Sequence, residues 1–228
     1  MHKIWPLGEV PVELQRPELN LLKAAGYTWN DPYDIVNIFE EKVAAFAGSK
    51  YAVAIDCCSH GIFLALKYLQ ADQQVTIPAC TYVSVPMQIK HAGCKVAFED
   101  IAWSGVYQLK PYPIWDGATR WQEDMYTSGM MILSFQIKKR IPIGRGGMIL
   151  TDDKDAYNWL KKARHDGRDM SVYYVNDDFE FNGWHYYMTP EDAARGILLM
   201  DHLPKNCNDS HTNKNYVNLT SRAIFKDN

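Results

Sequence analysis

The chain predicts an α/β fold, a three-layer sandwich around a mostly parallel sheet. Short apolar runs of strand length alternate along it with longer runs of helical spacing. Residues 75–98 hold a complete strand, helix and strand, the crossover unit of a parallel sheet. The composition is that of a globular protein: 228 residues, 47% hydrophobic and 22% charged, enough for one main core.

Taken in order, Asp31-Pro32 opens a predicted helix in which Val36, Phe39, Val43 and Phe46 form one apolar face and Gly48 ends it. Residues 51–56 read as a buried strand, and the run from His60 to Leu69 has helical spacing. Between them Cys57-Cys58-Ser59 makes a small-residue turn. The helix start above such a turn aims free N–H groups at whatever sits there and Ser59 adds a hydroxyl, so an anion would be stabilised; a plain serine N-cap explains the same residues. Val75 to Ile77 is strand-like, Val83 to His91 helical, and Cys94 to Phe98 a strand again. Pro78-Ala79-Cys80-Thr81-Tyr82 follows the first of these strands. This puts an aromatic ring where open sheets bind ligands, either stacked on a flat ring or covering the helix start. A short β run from Pro113 to Trp115 carries Asp116 to a strand end. A carboxylate there suits a pyridine nitrogen, although Asp-Gly is also a common turn pair.

Several classes are excluded by composition. A net charge of −3 without a basic stripe gives no attraction to nucleic acid. No apolar run approaches the ~20 residues that cross a bilayer, and the first thirteen residues lack the apolar core of a signal peptide, so the expected location is cytoplasmic. The five cysteines lack zinc-ligand spacing and are expected to be reduced and mostly buried.

The segment from Ser134 to Asp153 carries the most chemistry. Lys139 sits on a loop after a strand, five residues beyond Ser134 and ahead of Gly144, Gly146 and Gly147. A lysine so placed can form a Schiff base with pyridoxal phosphate, a serine can bind the phosphate, and glycines let the backbone turn beside it; a solvated basic turn is the plainer reading.

Together these motifs resemble the DegT/StrS family of pyridoxal-phosphate-dependent sugar aminotransferases, of the aspartate aminotransferase fold, over about residues 24–203. Cys57-Cys58-Ser59 resembles the family's Ser-Gly-Thr phosphate turn, and Pro78 to Tyr82 its Pro-x-x-Thr-aromatic turn, whose ring stacks on the cofactor. Asp116-Gly117-Ala118-Thr119 is similar to its Asp-Ala-Ala-Gln segment. The loop aligns without a gap to Ser-Phe-His-x-x-Lys followed by Gly-Glu-Gly-Gly, with Gln136 in place of the histidine and Arg145 in place of the glutamate. The resemblance selects Lys139 over Lys138 as the catalytic, cofactor-bearing lysine. It implies cofactor contacts from Cys58, Ser59, Tyr82, Asp116, Thr119 and Ser134. Residues 183–203 resemble the family's Gly-x-Asn-x-Arg-Met loop and following helix, with His185 and Tyr187 at the Asn and Arg positions. In relatives this loop reaches the cofactor phosphate of a neighbouring subunit, which implies a homodimer with shared active sites; a surface imidazole is the alternative for His185.

Only fifteen residues separate Asp100 from Asp116, where the family has a further strand and helix, so one unit is expected to shrink to a loop. Three segments are expected: 1–23 at the N-terminus, 24–203 as the cofactor-binding large domain, and 204–228 as a polar tail in place of a closing small domain, too poor in apolar residues to form a lid. The implied reaction moves an amino group from an amino acid, by default glutamate, to a keto sugar linked to a nucleotide. The alternatives are a cofactor- or partner-binding homologue without transamination, and a pyridoxal enzyme for small amino acids. The last would need a carboxylate clamp from Arg145, Arg164 or Arg168.

Overall fold

The computed structural model describes residues 16–226, so the expectation about the first thirteen residues lies outside the described part. Two helices open it, α1 (Glu18–Ala24) and α2 (Asp34–Ala47). Val36, Phe39 and Val43 of α2 are buried as their spacing requires, and Gly48 closes the helix at φ 81°, donating to the Ala44 carbonyl. Asp31 and Pro32 form the preceding turn, and Phe46 is partly buried, stacked on Trp121.

The sheet is built from β1 (Tyr51–Ile55), β2 (Val75–Pro78), β3 (Val96–Glu99), β4 (Tyr107–Gln108), β5 (Ile114–Asp116), β6 (Met130–Ser134) and β7 (Gly147–Thr151). Five strands lie in the order β1-β7-β6-β5-β4, and β2 pairs with β3 in parallel, Val75 opposite Val96. Thr76 and Lys110 exchange two backbone hydrogen bonds of 2.8 and 3.0 Å, which attach this pair beside β4.

Three of the four neighbour pairs in the five-stranded sheet are antiparallel, which corrects the mostly parallel expectation. The cause is local. Residues 135–146 join β6 to β7 without a helix, so the chain can only turn back, and β7 then lies antiparallel to both neighbours. The stretch between Asp100 and Asp116 likewise returns as the reversed strand β4, not as a bare loop.

Alternation along the strands feeds two cores. Ala52, Ala54, Met131, Leu133, Met148 and Leu150 face α2 and α6 (Pro190–His202). Val53, Ile55, Ile132 and Ile149 face α3 (Cys58–Tyr68), α4 (Ser84–His91) and α5 (Lys154–Ala163). The result is a three-layer α/β/α sandwich, with α1 packed on α6. The five cysteines are free, but only Cys94 is buried; the other four are half-buried, against the expectation. Among the described residues no helix is long and apolar enough to cross a membrane.

Candidate active site

One edge of the sheet collects the ends of β1, β2, β5 and β6 and the start of β7, and there a cavity of about 410 Å³ opens. Cys58, Ser59, Tyr82, Asp116, Thr119, Ser134 and Lys139 all line it. Residues up to 81 positions apart in sequence thus converge on one site.

Asp116, 5% exposed, ends β5. Its Oδ2 accepts from the Tyr107 hydroxyl at 2.6 Å and its Oδ1 from the Ala118 N–H at 2.9 Å. The Thr81 hydroxyl lies 2.5 Å from that of Tyr107. Because Tyr107 gives its one hydrogen to Asp116, Thr81 must donate to Tyr107, and a directed chain Thr81 to Tyr107 to Asp116 results. Burial raises the Asp116 carboxyl above its ordinary range, while Tyr107, Ala118 and the charge of Lys139 pull the other way. Burial, aided by the Asp116 charge and hydrogen bond, pushes the Tyr107 phenol well up and keeps it a donor. The Cys58 thiol is also pushed well up, by burial and then by Asp116, and stays neutral.

The start of α3 forms the opposite wall. Its N-cap is Cys57, whose sulfur accepts from the His60 N–H at 3.5 Å, so Ser59 is inside the helix and is not its cap. The Ser59 hydroxyl donates to Ser84 Oγ at 2.7 Å, and Ser134 Oγ accepts from the Gln136 N–H at 3.5 Å. Gly147 brings β7 against this turn: a Cβ there would lie 2.6 Å from the Cys58 nitrogen and 2.8 Å from the Cys57 carbonyl carbon. Only glycine permits that approach.

The basic loop separates its lysines. Lys139 is half-buried and its charge reaches both Asp116 and Cys58, whereas Lys138 is exposed. Tyr82 is 59% exposed, its ring available to a ligand. Thr119 is buried, with its hydroxyl donating to the Gly105 carbonyl at 3.1 Å. Arg145 lines the cavity paired with Asp56 at 2.7 Å, while Arg164 is buried against Glu40 and Arg168 lies beside Asp177. Of the three arginines weighed as a clamp, only Arg145 reaches the cavity.

His185 is the one candidate that the cavity does not gather. It is exposed, with Nδ1 2.7 Å from Asp166 Oδ2. The sequence reading missed Tyr107, Ser84 and a group from the C-terminal segment, His211, Asn215 and Tyr216, which also line the cavity. A tyrosine nine residues before Asp116 on a two-residue strand leaves no pattern to find.

The architecture and the lysine-and-carboxylate cavity define an α/β domain with a candidate ligand site at the sheet's edge. A family model of the DegT/DnrJ/EryC1/StrS aminotransferases matches residues 16–114 and 118–220, and the chain belongs to that family. Over 69 residues, 29% of this chain and 18% of the relative, it is 41% identical to the spore coat polysaccharide biosynthesis protein SpsC of Bacillus subtilis (strain 168). The fold is similar to that of the sugar aminotransferase CalS13 from Micromonospora echinospora, with a TM-score of 0.66 at 14% identity over 81% of this chain and 64% of that one. It is also similar to DesI, solved in the presence of its TDP-sugar product, with a TM-score of 0.61 at 18% identity over 81% and 56%. The chain spans less than two thirds of the length of these relatives.

Proposed function

We propose that the chain is a pyridoxal-phosphate-dependent aminotransferase that passes an amino group from an amino acid, with glutamate as the expected donor, to a keto sugar carried on a nucleotide. The observation that carries this is Lys139 sharing one cavity with the buried, hydrogen-bonded carboxylate of Asp116. Family membership supports it, as do the similarity to the sugar aminotransferase CalS13, to DesI with its TDP-sugar product and to the polysaccharide biosynthesis protein SpsC.

The donor set fits the cofactor. Asp116 has an elevated affinity for a proton and, among the described residues, no ion-pair partner, and a protonated ring nitrogen would supply one. The glycine-tight turn at the α3 N-terminus, with Ser59 and Ser134, is a phosphate cradle, and Tyr82 would cover the ring. When bound, pyridoxal phosphate supplies an electron sink for the carbanion formed at the donor's α carbon. Lys139 would hold the cofactor's aldehyde through Nζ, and its amine would serve as the general base at the donor's α carbon. Asp116 holds the opposing charge throughout, oriented by Tyr107. Arg145, at the mouth, offers a cation to the donor's carboxylate.

His185 is exposed beside Asp166 and does not line its own cavity, and in the homodimer that the family resemblance implies its loop serves the neighbouring site. The test is to load the chain with pyridoxal phosphate and add glutamate. Conversion of the lysine-bound cofactor absorbance to that of the amine form supports the reading. Bound cofactor that responds to no amino donor overturns it in favour of a binding homologue.

A further inference from the structure

Beyond α6 the chain does not trail away. Residues 206–225 form a strap across the cavity edge, pinned along their length to the sheet's loops. Asp209 accepts from Arg120 through both carboxylate oxygens, at 3.0 and 2.8 Å, and from Ser104 at 3.0 Å. The Ser210 N–H donates to the Thr119 carbonyl and the Leu219 N–H to the Ala79 carbonyl, each at 2.9 Å. Leu219 and Phe225 are buried, Phe225 against Phe98. Gly105, at φ 70°, is shaped for this crossing: a Cβ there would lie 2.1 Å from the Asp209 carboxylate. Backbone hydrogen bonds, the clasped Arg120 and the buried Leu219 and Phe225 hold the segment against the sheet's loops.

The strap delivers two side chains of complementary character. The Tyr216 ring stacks on Trp103 at 5.7 Å between centroids, and Trp103 is fixed by its own Nε1 donating to the Cys80 carbonyl at 2.9 Å. Burial first, with Asp116, Cys58 and Tyr82, pushes the Tyr216 phenol up to about 12, so its hydroxyl remains a donor. Ser210 Oγ donates to the Thr119 carbonyl at 3.2 Å, so it can only accept from His211 Nδ1, 3.0 Å away. That fixes the tautomer of the neutral ring and leaves Nε2 as an acceptor. Burial and the charges of Lys139, Arg140 and Lys138 hold the imidazole neutral.

We propose that the strap is the substrate-side wall of the cavity and that Tyr216 and His211 are specificity-determining residues for the acceptor's sugar ring. The Tyr216–Trp103 pair presents an aromatic face and a hydroxyl donor, and His211 presents an acceptor, the groups that recognise a pyranose with its C–H face and hydroxyls. This rests on the sugar-aminotransferase reading above.

The test titrates the full chain without cofactor by calorimetry against TDP-glucose and, separately, thymidine diphosphate. Tyr216→Ala and His211→Ala are expected to weaken TDP-glucose about tenfold each and thymidine diphosphate by less than about twofold, with Tyr216→Phe, which keeps the stack, between them and wild type. The proposal is overturned if wild type does not bind TDP-glucose, if both variants bind it unchanged, or if they weaken thymidine diphosphate as much as TDP-glucose. Failure of wild type to convert glutamate defeats the aminotransferase reading instead, while the titration still decides the wall.

Discussion

Tyr107 donates its phenolic hydrogen to the buried carboxylate of Asp116 across 2.6 Å, and Thr81 in turn donates to Tyr107. Burial raises the affinity of Asp116 for a proton, and this hydrogen bond offsets part of that rise. On the proposed reading Tyr107 is a positioning residue, acting on the cofactor through Asp116.

Tyr107→Phe removes one hydrogen bond to a charged group, worth about 1.5–3 kcal/mol. The Asp116 carboxyl then rises further, because the bond that lowered it is gone. The expected outcome is cofactor affinity reduced by roughly tenfold or more at neutral pH, with the acid limb of the affinity profile displaced to higher pH. Spectrophotometric titration of pyridoxal phosphate between pH 5 and 8 measures both. An unchanged acid limb would show that Tyr107 only fills space.

His60 gives a pH dependence of the opposite sense. Burial would lower its imidazole, but the hydrogen bonds and charges of Asp56 and Cys57 outweigh burial and hold it at about 9, against an ordinary 6.5. The folded state therefore binds this proton more tightly than the unfolded one. Its contribution, at most roughly 3 kcal/mol, is complete below pH 6.5 and is lost as pH rises through 9. Urea midpoints between pH 6 and 10 should fall for wild type across that window, and His60→Asn should flatten the fall.

Arg164, one of the three arginines considered as a carboxylate clamp, has a structural role. It pairs with Glu40, whose Oε1 also accepts from the Ala54 N–H at 2.8 Å and whose Oε2 meets Lys161 at 2.7 Å. Burial alone would raise the Glu40 carboxyl, but the two cations hold it below its ordinary range. Arg164→Met strands that carboxylate, and a loss of about 3–5 kcal/mol in urea unfolding is expected, partly recovered by adding Glu40→Leu.

The lysine loop, the turn before α3 and the Asp116 strand end were legible because each is a local pattern: a strand, a small-residue turn and a functional residue within ten positions. The direction of β7 was not, since five buried residues read alike either way and only the helix-free link from β6 decides. Tyr107 was invisible because its meaning comes from Asp116 across the β4–β5 pair. The course of the strap was not legible either: its composition is that of a polar tail, and the partners of its anchors, Arg120 for Asp209 and Phe98 for Phe225, lie far away in sequence.

The central claim is that Lys139 carries the cofactor. Reduction of the pyridoxal-phosphate-loaded chain with borohydride, followed by peptide mapping by tandem mass spectrometry, tests it most directly. The account predicts one pyridoxyl group, on Lys139, absent from Lys139→Ala and retained by Lys138→Ala. A label on Lys138, or no covalent label at all, would contradict it.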